Sequence, residues 1–209
     1  LLIDNKPKEI KEEDKYNFQQ KKLVLENDKM YLEIDTKGAN ITLLNLKGYT
    51  NYNDESLMLV DQDNSSLNIS IPDNQNSRVI YTKDIIFDSD ILQENKKIKF
   101  TGYISDDDII EIIYNLDNDS FMLDYQVKFN GFETYQNQND FYISWIKDSF
   151  RNSKSLDYEN RYTALSYGFE DEKDSYLSIT GSSDKIIDDV NWISYREHFF
   201  SSILMFEDK

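Results

Sequence analysis

From Leu23 onward, apolar side chains recur at every second position in short runs, the spacing of strands that bury one face and wet the other. Leu23 and Leu25, then Met30, Leu32 and Ile34, alternate with polar residues across the turn-forming pair Asn27-Asp28, which predicts two strands and a hairpin. Further runs follow at Ile41 to Leu46, Leu57 to Val60, Leu67 to Ile71, Val79 to Tyr81, Ile98 to Ile104, Ile109 to Leu116, Phe141 to Ile146 and Tyr176 to Ile179. The clearest alternation sets Phe121, Leu123, Tyr125, Val127 and Phe129 against Asp124, Gln126 and Lys128. Asn/Asp/Ser/Gly clusters separate the runs at Asp61 to Ser66, Asp73 to Ser77, Ser105 to Asp108 and Asp117 to Ser120. Their spacing of about 8 to 12 residues is that of β-sandwiches, so the pattern predicts an all-β, antiparallel architecture.

One segment reads as a helix. Asp188 or Asp189 is placed to cap it, and Trp192, Tyr195 and Phe199 recur at i, i+3 and i+7, which predicts a short helix from about Asp189 to His198 and a strand from Phe200 to Phe206. Before the first strand, residues 4 to 20 carry the mixed-charge run Lys8 to Lys15 with no apolar period, as a solvated linker does.

Composition narrows the function classes. The chain has 209 residues, 15 Tyr, 12 Phe and no cysteine, which supplies an aromatic core and excludes disulfide frameworks and zinc-thiolate sites. With 40 acidic against 23 basic residues the net charge is -17, a field that repels nucleic acid and opposes self-association, so a monomer without a nucleic-acid partner is expected. No apolar run approaches the roughly 18 residues of a membrane span, and Leu1-Leu2-Ile3 is far shorter. A chain opening on that tripeptide without Met reads as a fragment whose upstream segment has been removed.

Candidate chemistry is sparse. His198 is the only histidine, so any triad or histidine metal site must use it, and its aromatic neighbours favour a packed role. Asp61-Gln62-Asp63-Asn64 and Asp117-Asn118-Asp119 start like calcium loops, but Ser66 and Pro72, or Met122 and Lys128, stand where the turn glycine and closing acid belong. Asp106-Asp107-Asp108 reads as a hairpin tip that discourages edge pairing. No phosphate loop, serine elbow or paired-carboxylate motif occurs, so no catalytic, cofactor-binding or metal-binding residue is expected.

Three stretches resemble the large first periplasmic domain of the YidC family of bacterial membrane protein insertases, with Bacteroidetes-like members nearest in character. Leu23 to Asn27, then Ile34 to Ile41 with Thr36-Lys37-Gly38-Ala39, and Leu46-Lys47-Gly48-Tyr49 are similar to the family's first hairpin, whose turn usually carries a second glycine where Ala39 stands. Glu159 to Tyr167, running on to Tyr176-Leu177-Ser178, resembles the family segment that precedes the helix. Trp192 to Leu204 is similar to the family signature Trp-x-x-x-x-Gln-x-Phe/Tyr-Phe, with Glu197 in place of the usual Gln.

The resemblance implies a twisted β-supersandwich, mutarotase-like in architecture, with its short helix near the C-terminus. Residues 1–20 would be a linker following a membrane helix, of which Leu1 to Ile3 is a stub, and residues 21–209 a periplasmic domain whose family counterparts continue through several more strands. Gly38, Trp192, Phe199 and Phe200 would be structural signature residues. The implied function is a non-catalytic module on the periplasmic face of the inner membrane that docks or chaperones, with Sec translocon components and nascent membrane proteins as partners. The face bearing Asp124, Gln126 and Lys128 is the candidate partner surface. A mutarotase-like carbohydrate-active or carbohydrate-binding sandwich and a surface adhesion domain are the competing readings. The former needs acid and base groups in a cleft, for which His198 alone is poorly placed.

Overall fold

A computed structural model of the chain describes residues 16–61, 63–73, 78–132, 141–169, 175–178, 184 and 186–206. The predicted stub at Leu1 to Ile3 and most of the predicted linker lie outside the described residues. The strands form four sheets. The first contains β1 (Lys22–Glu26), β2 (Met30–Asp35), β3 (Asn40–Thr50) and β4 (Ser56–Val60) in sequence order. The second contains β7 (Asp88–Gln93), β8 (Lys97–Tyr103), β9 (Ile109–Leu116) and β10 (Leu123–Asn130), ordered β10-β9-β8-β7. The third sets β5 (Ser65–Asp73) between β11 (Tyr142–Lys147) and β6 (Arg78–Tyr81). The fourth is β12 (Ala164–Gly168), β13 (Ser175–Ser178), β14 (Trp192–Arg196) and β15 (Ser201–Met205), ordered β13-β12-β14-β15. This antiparallel, helix-poor architecture is the expected all-β class and fits a β-supersandwich.

The chain divides into two units, Leu1–Gly48 with Met58–Ile146, and Tyr49–Leu57 with Lys147–Lys209. In the first, the period-two pattern translates directly into burial. Met30, Leu32 and Ile34 on β2, Ile98 and Phe100 on β8, and Ile110, Ile112, Tyr114 and Leu116 on β9 all point inward. Each such side chain withdrawn from water contributes about 1.5 to 3 kcal/mol. Tyr114 carries its hydroxyl through this core to donate to the carbonyl of Ala39 at 2.8 Å. Burial raises the Tyr114 phenol well above its ordinary pKa.

The predicted Asn27-Asp28 turn joins β1 to β2, and it is more than a turn. The buried Asn27 side chain accepts from the amides of Lys29 (2.9 Å) and Met30 (2.7 Å) and donates to the carbonyls of Asp117 (2.7 Å) and Ser120 (2.8 Å). All four hydrogen-bonding sites of the amide are thereby used. The cluster that imitates a calcium loop at Asp117 to Asp119 is the β9–β10 connection to which this asparagine is fastened.

The predicted helix from Asp189 to His198 is a correction. That sequence forms the strand β14, and a tight turn, closed by the Glu197 amide donating to the Phe200 carbonyl at 2.8 Å, leads into β15. Asp189 sits at φ 57, a left-handed conformation that cannot cap a helix start, where extended backbone is needed. Trp-Ile-Ser-Tyr-Arg is also rich in β-favouring side chains, and its sheet neighbours on both sides outweigh the i, i+3, i+7 coincidence. The α-helix among the described residues is instead α1 (Leu156–Tyr162), well before the C-terminus. Ser155 caps it by accepting from the Tyr158 amide, and Glu159 folds back to accept from the amides of Asn152 (2.9 Å) and Ser153 (3.2 Å).

Candidate partner surface

β10 lies at the end of its sheet, so its outer edge is hydrogen-bonded to no other strand among the described residues. Its inner edge is registered against β9 along its whole length, from Leu123 opposite Leu116 to Asn130 opposite Ile109. The alternation read from sequence is present: Asp124, Gln126 and Lys128 are exposed, while Leu123, Tyr125, Val127 and Phe129 turn toward the core side. Phe121 departs from that reading, because the strand starts at Leu123 and Phe121 is exposed in the preceding loop.

The inward face is held by aromatic packing. Tyr125 lies 5.0 Å from the Tyr114 ring, and Phe129 stacks on Phe141 at 4.2 Å and meets Phe132 edge-on at 5.4 Å. Burial raises the Tyr125 phenol above its ordinary pKa. Gly131 ends the strand at φ 82, and a β-carbon there would lie 2.7 Å from the carbonyl carbon of Asp107, so the Asp106 to Asp108 hairpin tip packs directly on it.

On the wet face, Asp124 accepts from the Asn115 amide at 2.9 Å. One strand further in, Lys99 sits between Asp90 (3.4 Å) and Glu111 (3.6 Å). Gln126 and Lys128 are exposed and have no hydrogen-bonding or ionic partner among the described residues.

The signature residues fall in two places. Gly38 occupies the β2–β3 turn at φ 78, and a β-carbon there would approach the Asn40 side-chain nitrogen at 2.5 Å and the Lys83 backbone at 3.0 Å. Its successor Ala39 is also left-handed, at φ 50, which explains why a glycine suits that site. In the second unit, Trp192 is half-buried over Gly168, Phe200 is half-buried edge-on to Tyr49 at 5.8 Å, and Phe199 is 63% exposed.

His198 lies in the β14–β15 turn, stacked on Tyr162 at 4.8 Å, with Nδ1 buried and without a partner among the described residues. No acid, base and nucleophile converge on it among the described residues. The preceding Glu197 turns inward and pairs with Lys147 at 3.2 Å, both side chains being at most 4% exposed, and Lys147 also donates to the Ser202 hydroxyl at 2.7 Å. Sequence reasoning missed this group, because its members lie 50 and 55 positions from Lys147 and form no motif.

The antiparallel sheets define an all-β domain that fits a β-supersandwich. The family model for the YidC periplasmic domain matches residues 22–209, and the chain belongs to that family. It is 29% identical over 187 residues to the membrane protein insertase YidC of Parabacteroides distasonis, an alignment covering 88% of this chain and 29% of that protein. The YidC proteins of Azobacteroides pseudotrichonymphae and Phocaeicola vulgatus are each 26% identical, across 88% and 87% of this chain. The chain spans roughly 30% of the length of the curated relatives it matches. This membership does not favour the mutarotase-like alternative. No helix among the described residues is long and apolar enough to cross a membrane.

Proposed function

We propose that this chain is a non-catalytic docking and chaperoning module of a membrane protein insertase, held at the periplasmic face of the inner membrane by membrane helices absent from this chain. Its partners are nascent membrane proteins and Sec translocon components. The observation that carries the reading is the geometry of β10: an edge with free backbone donors and acceptors, an anchored aromatic face, and the exposed triplet Asp124, Gln126 and Lys128. An extended segment of another chain adds to such an edge by β-augmentation, with backbone hydrogen bonds giving affinity and the flanking side chains selecting the partner. No reacting group is required. The module acts as a monomer, since its charge of -17 opposes self-association.

The test replaces Gln126 and Lys128 with Glu in the full-length, membrane-tethered protein. Capture of translocon components should weaken while the melting temperature is unchanged. Undiminished capture rules this face out.

A further inference from the structure

The helix α1 and the turn between β14 and β15 bring a second surface together, independent of β10. Tyr158 and Tyr162 on α1 contact each other at 5.2 Å, both contact His198, and His198 contacts Phe199 at 4.0 Å. Three of these rings remain in water: Tyr158 is 46%, Tyr162 39% and Phe199 63% exposed. Large aromatic rings left exposed in one contiguous group are characteristic of a recognition surface.

The charges around the group are unusual for this protein. The sequence holds four arginines. Arg78, in the first unit, is paired with Asp73 at 2.8 Å. The other three border α1. Arg161 lies 5.7 Å over the Tyr158 ring, Arg196 donates to the Tyr162 carbonyl at 3.3 Å, and Arg151 donates to the carbonyls of Ser153 and Lys154 ahead of the helix. None of the three has a carboxylate partner among the described residues, in a chain with 40 acidic side chains. Their guanidinium groups are positioned by carbonyls and rings, and a guanidinium has five N–H donors, more than these contacts use.

We propose that the α1 and β14–β15 surface binds an extended protein segment in which apolar or aromatic residues alternate with Asp and Glu. The rings Tyr158, Tyr162 and Phe199 take the apolar side chains, and Arg161 and Arg196 take the carboxylates. A protein segment is favoured over an anionic bilayer because the net charge of -17 repels a charged membrane at long range, whereas a single peptide feels mainly the local arginines. Positive charge is concentrated in the cytoplasmic loops of membrane proteins, so translocated loops carry few of the positive charges that these arginines would repel.

The experiment measures binding of the purified chain to a fluorescein-labelled peptide alternating Phe and Leu with Asp and Glu, to its counterpart with Lys at the acidic positions, and to vesicles of phosphatidylcholine and phosphatidylglycerol. The acidic peptide should bind, with affinity falling as salt rises. The double variant Arg161→Gln/Arg196→Gln should bind it about tenfold more weakly, with an unchanged melting temperature. Phe199→Ser, at an exposed position, should weaken binding of the peptide without unfolding the protein. Equal binding of the Lys peptide, or undiminished binding by both variants, overturns the proposal. Vesicle binding that the variants abolish, without peptide binding, assigns the surface to lipid and overturns it equally. The β10 variant Gln126→Glu/Lys128→Glu should bind the peptide like the parent chain, so the two surfaces fail or succeed separately.

Discussion

The indole of Trp192 lies against Gly168, its cross-strand partner in the β12–β14 pair, so closely that a β-carbon on Gly168 would come within 2.6 Å of the ring carbon Cζ2. The glycine is the seat that lets the ring lie down on the sheet, an arrangement in which a missing side chain and a large one are a single structural unit. Gly168→Ala should therefore displace the indole and cost about 1 to 3 kcal/mol. Trp192→Ala, at a half-buried position, should cost about 2 kcal/mol, below the range for a fully buried ring. Urea unfolding of both variants checks this. If Gly168→Ala unfolds at the parent's midpoint, the packing is wrong.

Asn27 offers a sharper substitution. Asn27→Asp keeps the shape but removes both donors and turns a carboxylate toward the carbonyls of Asp117 and Ser120. A loss of at least about 2 kcal/mol is expected near neutral pH, from two broken hydrogen bonds and the repulsion that replaces them. Because protonation restores one donor, part of the loss should be recovered in acid relative to Asn27→Ala. Denaturation of both variants across pH 4 to 7 gives the comparison, and a pH-independent difference would count against the clamp.

The buried Lys147–Glu197 pair predicts a different asymmetry. Glu197→Gln restores the residue usual in the family signature, yet in this chain it leaves Lys147 charged and buried without its counter-ion, which should cost about 3 to 5 kcal/mol. Lys147→Met combined with Glu197→Gln should recover most of that loss. A double-mutant cycle by thermal unfolding measures the coupling, and additive effects would show that the two charges do not depend on each other.

At high pH the two interior phenols set the stability. Tyr114 and Tyr125 have folded pKa values above the ordinary 10.0, so between that value and their folded pKa the unfolded chain releases protons the folded chain retains. Their contribution is complete below pH 10 and is lost progressively as pH rises past it, giving alkaline unfolding. Tyr114→Phe should flatten this slope while costing about 1 kcal/mol at neutral pH for the lost bond to Ala39. Urea titrations from pH 8 upward report both effects.

Most strands were legible because they bury a single face, so apolar residues appear at alternate positions: β2, β9 and β10 show this along their whole length. β7 was not, because Asp-Ser-Asp-Ile-Leu-Gln sits at a sheet end with Ile91 and Leu92 both exposed, and nothing in it alternates. α1 escaped notice since two turns are too few for a helical period, and its evidence is capping chemistry around Ser155 and Glu159. β14 was mistaken for a helix because aromatic spacing in a strand that runs into a turn can imitate a helical face. The polar face of β10 was visible in sequence, while the Lys147 and arginine clusters were not, since each is assembled from residues far apart along the chain.

The Asn27 clamp also orders events in time. Its acceptors lie 90 and 93 positions downstream, so a chain delivered N-terminus first presents its opening hairpin long before the carbonyls that lock it have emerged. Until then Leu25, Leu32 and Ile34, buried in the complete fold, lack the rest of the core, and exposed apolar surface of this kind is prone to misassociation. The domain thus passes through a stage at which it is itself in need of shelter.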